Sequence, residues 1–391
     1  MERLLTGLVG FSIKKILSIK PTNLEVTYNQ ETLCPRCNSA NKRIKASFWR
    51  KIKSIPQLGN PVTLHVYCHK FHCKECGRYF NTRMKGIKKW NRSTEPLKKN
   101  VFSTSKHGYT NRDIANESGI SVASVERFFH QMVDLKVRHR SNRLCPKFLG
   151  IDEHRFTRKV GFATTFCNLE RHSVFDIAKG RSEEKLLPFL KSLEGRERVK
   201  VVCMDMYSPY RRMVKRWFPN ARIVTDRFHV IKLINHHFSK TCRLIDEDHL
   251  AWGRGGLIRA MATKPQNLSS KRKEALSRYF EEQPIIKNLW RFWQELTELC
   301  RHTGKNKSAC RKFVKGLLEK IEMLKSTPFR PLQALSKSLK AWLNPIGRMF
   351  RYDRSNGVVE GFHRKMKLIQ RRAYGFRNFE NYRMRVKVLC G

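Results

Sequence analysis

The order of elements after residue 145 predicts an α/β or α+β core built on a mixed sheet. Three observations carry that reading. Residues 147–151, 161–169 and 172–178 read as three successive strands, the last two joined by the turn-like Glu170-Arg171. A helix follows over 182–193, with Ser182 as its N-cap and Glu183 and Glu184 in its first turn. Residues 199–204 then form a continuous apolar run of the buried-strand kind. After it come a basic helix near 210–217 and a short strand at 222–225.

The remaining regions separate by pattern. Residues 1–90 hold two Cys-x-x-Cys pairs and β-like runs at 24–28 and 62–67. Residues 91–145 turn helical around Gly119. The core runs over 146–230. From 231 to 345 the pattern is helical, punctuated by Pro265, Pro284, Pro328 and Pro331 and rich in Trp and Leu. It reads as an all-α insertion with a basic outer face. Residues 346–391 form a final basic helical stretch broken at Gly375.

The chain has 391 residues, which suggests two to three domains. Its 81 Lys and Arg against 32 Asp and Glu give a formal charge of +49. Such a charge points to a polyanionic partner, nucleic acid foremost. Residues 1–150 carry net +20 and residues 151–391 net +29. The charge is therefore spread along the chain, as a long nucleic-acid footprint requires, and is not confined to one arm. No apolar run approaches the roughly 18 residues of a membrane span. No signal-peptide pattern follows the partly apolar start, so a cytoplasmic protein is expected.

Of the twelve cysteines, five lie between Cys34 and Cys76. Cys34, Cys37, Cys73 and Cys76 form two knuckle-like pairs, and four thiolates suit tetrahedral zinc in a structural role. Asn38 and Gly77 follow the pairs and tolerate the left-handed backbone of a knuckle turn. A β-hairpin can fill the 35 residues between the pairs. His65, Cys68, His69 and His72 lie close by as alternative ligands. Reduced core thiols or a redox pair are the bland reading.

Residues 110–129 have the spacing of a DNA-binding helix-turn-helix. Ile114 and Ala115 face inward, Gly119 makes the turn, and Ser121 caps the second helix, with Val125 and Phe128 or Phe129 inside. Ser121, Ala123, Ser124 and Arg127 then point at the major groove. An ordinary helical hairpin is the alternative.

Acids are scarce, so their positions inform. Asp152 ends the first core strand and Asp205 the fourth. In a sheet of the ribonuclease-H type these strands are neighbours and their carboxylates converge. Glu360 is one of three acids among residues 345–391, beside twelve basic residues. Three converging carboxylates can hold two Mg²⁺ or Mn²⁺ for phosphodiester chemistry. Asp226, at the end of the fifth strand, is a competing candidate. Glu153 falls on the opposite side of its strand. His154 and His229 are possible phosphate contacts. The plain alternative is that the strand-end acids serve only solvation.

The order of zinc knuckles, helix-turn-helix and acidic core resembles the ISL-three family of bacterial insertion-sequence transposases. The specific parts are Gly150-Ile151-Asp152-Glu153, the run from Met204-Asp205 to Tyr210, and Asp226-Arg227-Phe228-His229-Val230. Ser355-Asn356-Gly357-Val358-Val359-Glu360-Gly361 and Arg372-Ala373-Tyr374-Gly375-Phe376-Arg377-Asn378 complete the match. The resemblance implies a ribonuclease-H-like core interrupted by a helical insertion, with Asp152, Asp205 and Glu360 as a two-metal triad. It implies cleavage that frees a 3′-hydroxyl, followed by attack of that hydroxyl on target DNA. The zinc and helix-turn-helix modules would bind the terminal inverted repeats, and joining two ends implies a dimer or larger assembly. Two residues depart from the pattern: Cys68, where an apolar residue is expected, and His363, where Asn is common. Both are expected to lie away from the three carboxylates. A non-catalytic DNA-binding regulator, an inactive remnant and a simple nuclease of the same fold remain the alternatives.

Overall fold

The computed structural model describes residues 6–138, 144–158, 161–250, 256–304, 306–352 and 357–391. Ser355 and Asn356 of the closing motif lie outside the described residues. The chain divides into two units, residues 1–142 with 367–389, and residues 143–366 with 390–391.

In the first unit, β1 (Phe11–Ser18), β2 (Thr22–Tyr28), β3 (Lys42–Gln57), β4 (Asn60–Cys73) and β5 (Tyr79–Asn81) make one sheet. Its order is β1-β2-β4-β3, with β5 on β4. The long hairpin β3–β4 fills the stretch between the cysteine pairs. It turns at Leu58 and Gly59, both at positive φ. Even-numbered residues of β4 from Val62 to Cys68 face a core with Leu24, Val26 and Ile52. Cys68 is thus a buried apolar filler on the sheet's inner face.

Three helices follow, α1 (Glu95–Lys106), α2 (Asn111–Ser118) and α3 (Val122–Arg138). Thr110 and Asp113 form a reciprocal capping box at the start of α2. Gly119 ends α2 at φ 60, and a Cβ there would sit 2.7 Å from Pro61 Cβ on the hairpin. Only glycine meets both demands. Leu97, Val101, Ile114, Ala115, Val125 and Phe128 form the core of the three helices.

The second unit holds the other sheet. β6 (Phe148–Thr157), β7 (Gly161–Asn168) and β8 (Ser173–Lys179) form an antiparallel meander. The helix α4 (Glu183–Ser192) leads to β9 (Val201–Met204), and α5 (Ser208–Trp217) leads to β10 (Arg222–Thr225). Both of these strands add in parallel. The order β10-β9-β6-β7-β8 is the ribonuclease-H arrangement expected of the element string. Ser182 is the N-cap of α4, but its hydroxyl makes no capping bond. Glu183 instead accepts from Arg216 and from the Trp217 indole.

The helical stretch comprises α6 (Arg227–Ile245), α7 (Glu247–Leu250), α8 (Gly256–Met261), α9 (Ser270–Glu282), α10 (Pro284–Arg301), α11 (Lys307–Lys325), α12 (Arg330–Ala341) and α13 (Leu343–Met349). One hydrophobic cluster runs from Leu149 and Val202 in the sheet through Phe238 and Trp293 to Leu335 and Ile346. Phe238 stacks on Trp293 at 5.5 Å, and the Trp293 indole donates to Asn235 Oδ1. The insertion therefore shares the sheet's core and does not form a second one.

Two helices close the chain, α14 (Gly357–Arg372) and α15 (Phe379–Cys390). The stretch 346–391 does not stay whole. Its residues 367–389 fold with the first unit, because Met384 and Val388 of α15 pack on Phe102, Phe129 and Val133. Nor do residues 1–90 and 91–145 separate, since α2 rests on the β3–β4 hairpin. No described helix is long and apolar enough to cross a membrane.

Candidate active site and metal centres

The four-cysteine cluster is built by local turns. Asn38 N–H donates to Cys34 O and Gly77 N–H to Cys73 O, with both residues left-handed at φ 58 and φ 68. Each knuckle thus points two sulfurs the same way. The sulfur atoms of Cys34, Cys37, Cys73 and Cys76 lie within 4.8 Å of one another. The cross-knuckle distances Cys34–Cys76 and Cys37–Cys73 are both 3.5 Å. A tetrahedron with Zn–S near 2.3 Å has edges of about 3.8 Å. The donor set therefore fits zinc, and four sulfurs leave no open position. Cys68 and the nearby histidines are outside the cluster.

The acidic site is built by strand register. Ile151 pairs with Met204, and Met204 with Thr225. The next residue on each strand is Asp152, Asp205 and Asp226, so the three acids form one row across β6, β9 and β10. In parallel sheets ligands gather at this carboxyl edge. Asp226 N–H donates to Met204 O, which holds the end of the row.

His229, one turn into α6, closes the row. Its Nδ1 lies 2.8 Å from Asp205 Oδ1 and 2.9 Å from Asp226 Oδ2. The hydrogen bond goes to Asp226. Asp205 Oδ1 is buried, and the group facing it is the His229 ring it shares with Asp226. Burial opposes charge on His229, but the pull of both carboxylates outweighs it and raises its pKa to about 10. Burial, then the charge of Asp205, pushes Asp152 up to about 7. Three carboxylates gathered at one edge offer the hard oxygen donors that suit divalent cations of the Mg²⁺ or Mn²⁺ type. Asp205, Asp226 and His229 offer ligand atoms within 4.8 Å of one another.

Glu360 lies in the first turn of α14. Its side chain is half exposed and pairs with Arg364 at 3.1 Å, apart from the row. One turn further on the same helix, His363 Nδ1 lies 3.6 Å from Asp152 Oδ2, and Nε2 bonds Thr165 Oγ1 at 3.0 Å. The expectation that His363 stands away from the carboxylates is thus overturned. Its i+3 spacing from Glu360 puts both on one helix face, and that spacing was the available signal. His154 is a buried histidine bonded to Thr165, not a phosphate contact on the surface. Glu153 accepts from Tyr210 and Arg181 and lines the cleft beside Asp205.

A cleft of about 560 Å³ opens beside Asp205 and His229, walled by Tyr207, Tyr210, Lys337 and Trp342. Lys337 and Trp342 come from the helical stretch, and nothing in their local sequence marks them as cleft residues. In the helix-turn-helix, Ser121 Oγ accepts from Ser124 N–H, and Arg127 donates to Ser124 Oγ. Ser121, Ala123 and Arg127 are exposed and Ser124 half-buried, all near the start of α3.

A ribonuclease-H-like sheet with acids at the carboxyl edge of its parallel strands, joined to a four-cysteine module and a helix-turn-helix, defines a class of DNA-processing proteins. The chain belongs to the ISL3 family of DDE transposases, whose model, described as transposase, matches residues 149–386. A second model, described as the zinc-finger of transposase IS204/IS1001/IS1096/IS1165, matches residues 30–76. The chain is similar to the transposase for insertion sequence element IS1001 of Bordetella parapertussis. The two are 23% identical over 373 residues, covering 91% of this chain and 88% of that protein.

Proposed function

We infer that this transposase moves an insertion sequence by cutting and joining DNA at the row Asp152, Asp205 and Asp226 with Glu360. The observation that carries the reading is the in-register row of three carboxylates beside a cleft in a strongly basic chain. Asp152, Asp205 and Glu360 are the triad, as the family resemblance implies, and Asp226 orients the site through His229. Two bound Mg²⁺ or Mn²⁺ ions would supply charge neutralisation at the reacting phosphate and a more acidic attacking hydroxyl.

The chain's own groups do the rest. His229 holds a proton between Asp205 and Asp226 until cations replace it. Lys337 gives the cleft a phosphate-attracting wall. Water attack at the element end breaks the P–O bond to the 3′ oxygen and leaves a 3′-hydroxyl. That hydroxyl then attacks a target phosphodiester, whose own 3′ oxygen leaves. The helix-turn-helix residues Ser121, Ser124 and Arg127 read the terminal inverted repeats as duplex DNA. Holding two ends together takes two or more copies.

The test is strand transfer by the full chain on end-containing duplex with Mg²⁺ or Mn²⁺. Asp152→Asn, Asp205→Asn and Glu360→Gln are each expected to abolish joined product while repeat binding persists. Joined product from Asp205→Asn at the parent rate sinks the reading. A second arrangement, with ligands from Asp205, Asp226 and His229 and none from Glu360, is favoured by the Glu360–Arg364 pair. It expects Glu360→Gln to stay active and Asp226→Asn to be dead.

A further inference from the structure

The zinc module carries a second concave surface that neither the cysteines nor the helix-turn-helix explains. It is a groove of about 480 Å³ between the β3–β4 hairpin, β5 and the segment 82–90. Five of its lining residues are cations, Arg50, Arg78, Arg83, Lys88 and Lys89, and no carboxylate lines it. Trp90 and Tyr79 stand at its rim, 75% and 54% exposed. Trp90 sits at φ 65, a left-handed conformation that a bulky residue adopts only at a cost. Lys89 lies 5.3 Å over its ring. Arg50 is fixed by donating to Asn91 O at 2.7 Å, so the base of the groove is preorganised.

These features define the ligand by its chemistry. Cations without counter-charge recognise phosphodiesters. Exposed aromatic faces recognise unstacked bases. The volume lies within the roughly 300–1,000 Å³ of sites that enclose a small ligand, the scale of a nucleotide or two and not of a duplex. We propose that this groove binds a short single-stranded stretch of DNA, with phosphates on Arg83, Lys88 and Lys89 and a base stacked on Trp90. The proposal rests on the transposase reading for its biological setting, since frayed or nicked element ends supply such strands. It does not rest on catalysis.

The experiment uses the full-length, zinc-loaded protein and a fluorescent oligo(dT) single strand, with an end-containing duplex as comparison. Trp90→Ala is expected to weaken oligo(dT) binding roughly tenfold, from about 1–3 kcal/mol per stacked base. Trp90→Phe is expected to stay within about twofold, and duplex binding to be unchanged in both. Arg83→Gln with Lys88→Gln is expected to lower the salt slope by about 1.4, two single-strand phosphate contacts at about 0.7 each. The side chains changed are all exposed, so the fold is kept. Oligo(dT) affinity unmoved by Trp90→Ala, or equal loss on duplex and single strand, overturns the proposal. Selective loss in Trp90→Ala alongside absent strand transfer would leave the groove standing and remove the transposition reading. Active strand transfer with silent groove variants would do the reverse.

Discussion

The four-cysteine cluster and the acidic row are both metal-competent, yet they are assembled by opposite means. Each half of the cysteine cluster is made within five residues by one left-handed turn. The row draws on residues of three strands far apart in sequence, while Glu360 stands apart from it on a helix that begins at Gly357. Short-range turns pair the sulfurs within each knuckle, and one hairpin, β3–β4, brings the two knuckles together. Register brings carboxylates together only after the whole sheet has formed, and like charges then resist. The zinc site can thus help the fold form, whereas the acidic site depends on a fold that is already there.

The widest separation between the two is expected on metal removal. Stripping zinc, or Cys73→Ser, should unfold the β module, since structural zinc contributes on the order of 10 kcal/mol. Loss of strand signal in circular dichroism checks it, and a β module that survives chelation would break the contrast. Asp205→Asn should keep the fold yet lower strand transfer more than about a hundredfold, beyond the roughly 10- to 100-fold typical of losing a group behind a ligand.

Asp152 sharpens the contrast through pH. Its pKa is raised in the fold, so the folded chain keeps a proton that the unfolded chain releases near pH 4. Without metal, stability therefore falls as pH rises from about 4 to 7 and levels off above. Asp152→Asn should then stabilise the metal-free protein by roughly 2–4 kcal/mol at pH 8 and by little at pH 4. Thermal melts across that range measure it, and a gain that does not grow with pH would remove the burial account. In the first unit, Arg385 is stacked 5.1 Å from Phe129 and 5.9 Å from Phe376 and bonds Asn111. Arg385→Ala should cost about 1–3 kcal/mol, seen in denaturant melts of that unit. The smallest effect is expected at Arg364→Ala. Its exposed pair with Glu360 contributes at most about 0.5 kcal/mol, so stability should not move while Glu360 is freed.

Much of this is legible from local pattern. The strand at Arg222–Thr225, the turn at Gly119 and the knuckles at Asn38 and Gly77 are each specified by residues within a few positions. What local pattern misses depends on partners distant in sequence. β3 does not show the alternation of a strand, because its outer face carries Lys and Arg and two bulges shift its register. His363 reads as a bystander in the sequence, yet α14 brings it to Asp152. The row itself can be anticipated for Asp152 and Asp205. That Asp226 shares it needs the pairing of Met204 with both neighbours.

The docking of α15 on the helix-turn-helix has a consequence for how the molecule is made. During translation the first 142 residues emerge well before Met384 and Val388. Until those residues arrive, Phe102, Phe129 and Val133 have no cover from α15. A ribosome stalled in the middle of the message, or a product cut short by a frameshift, therefore releases these helices with an open apolar face, prone to proteolysis. Only a chain translated through Val388 covers that face.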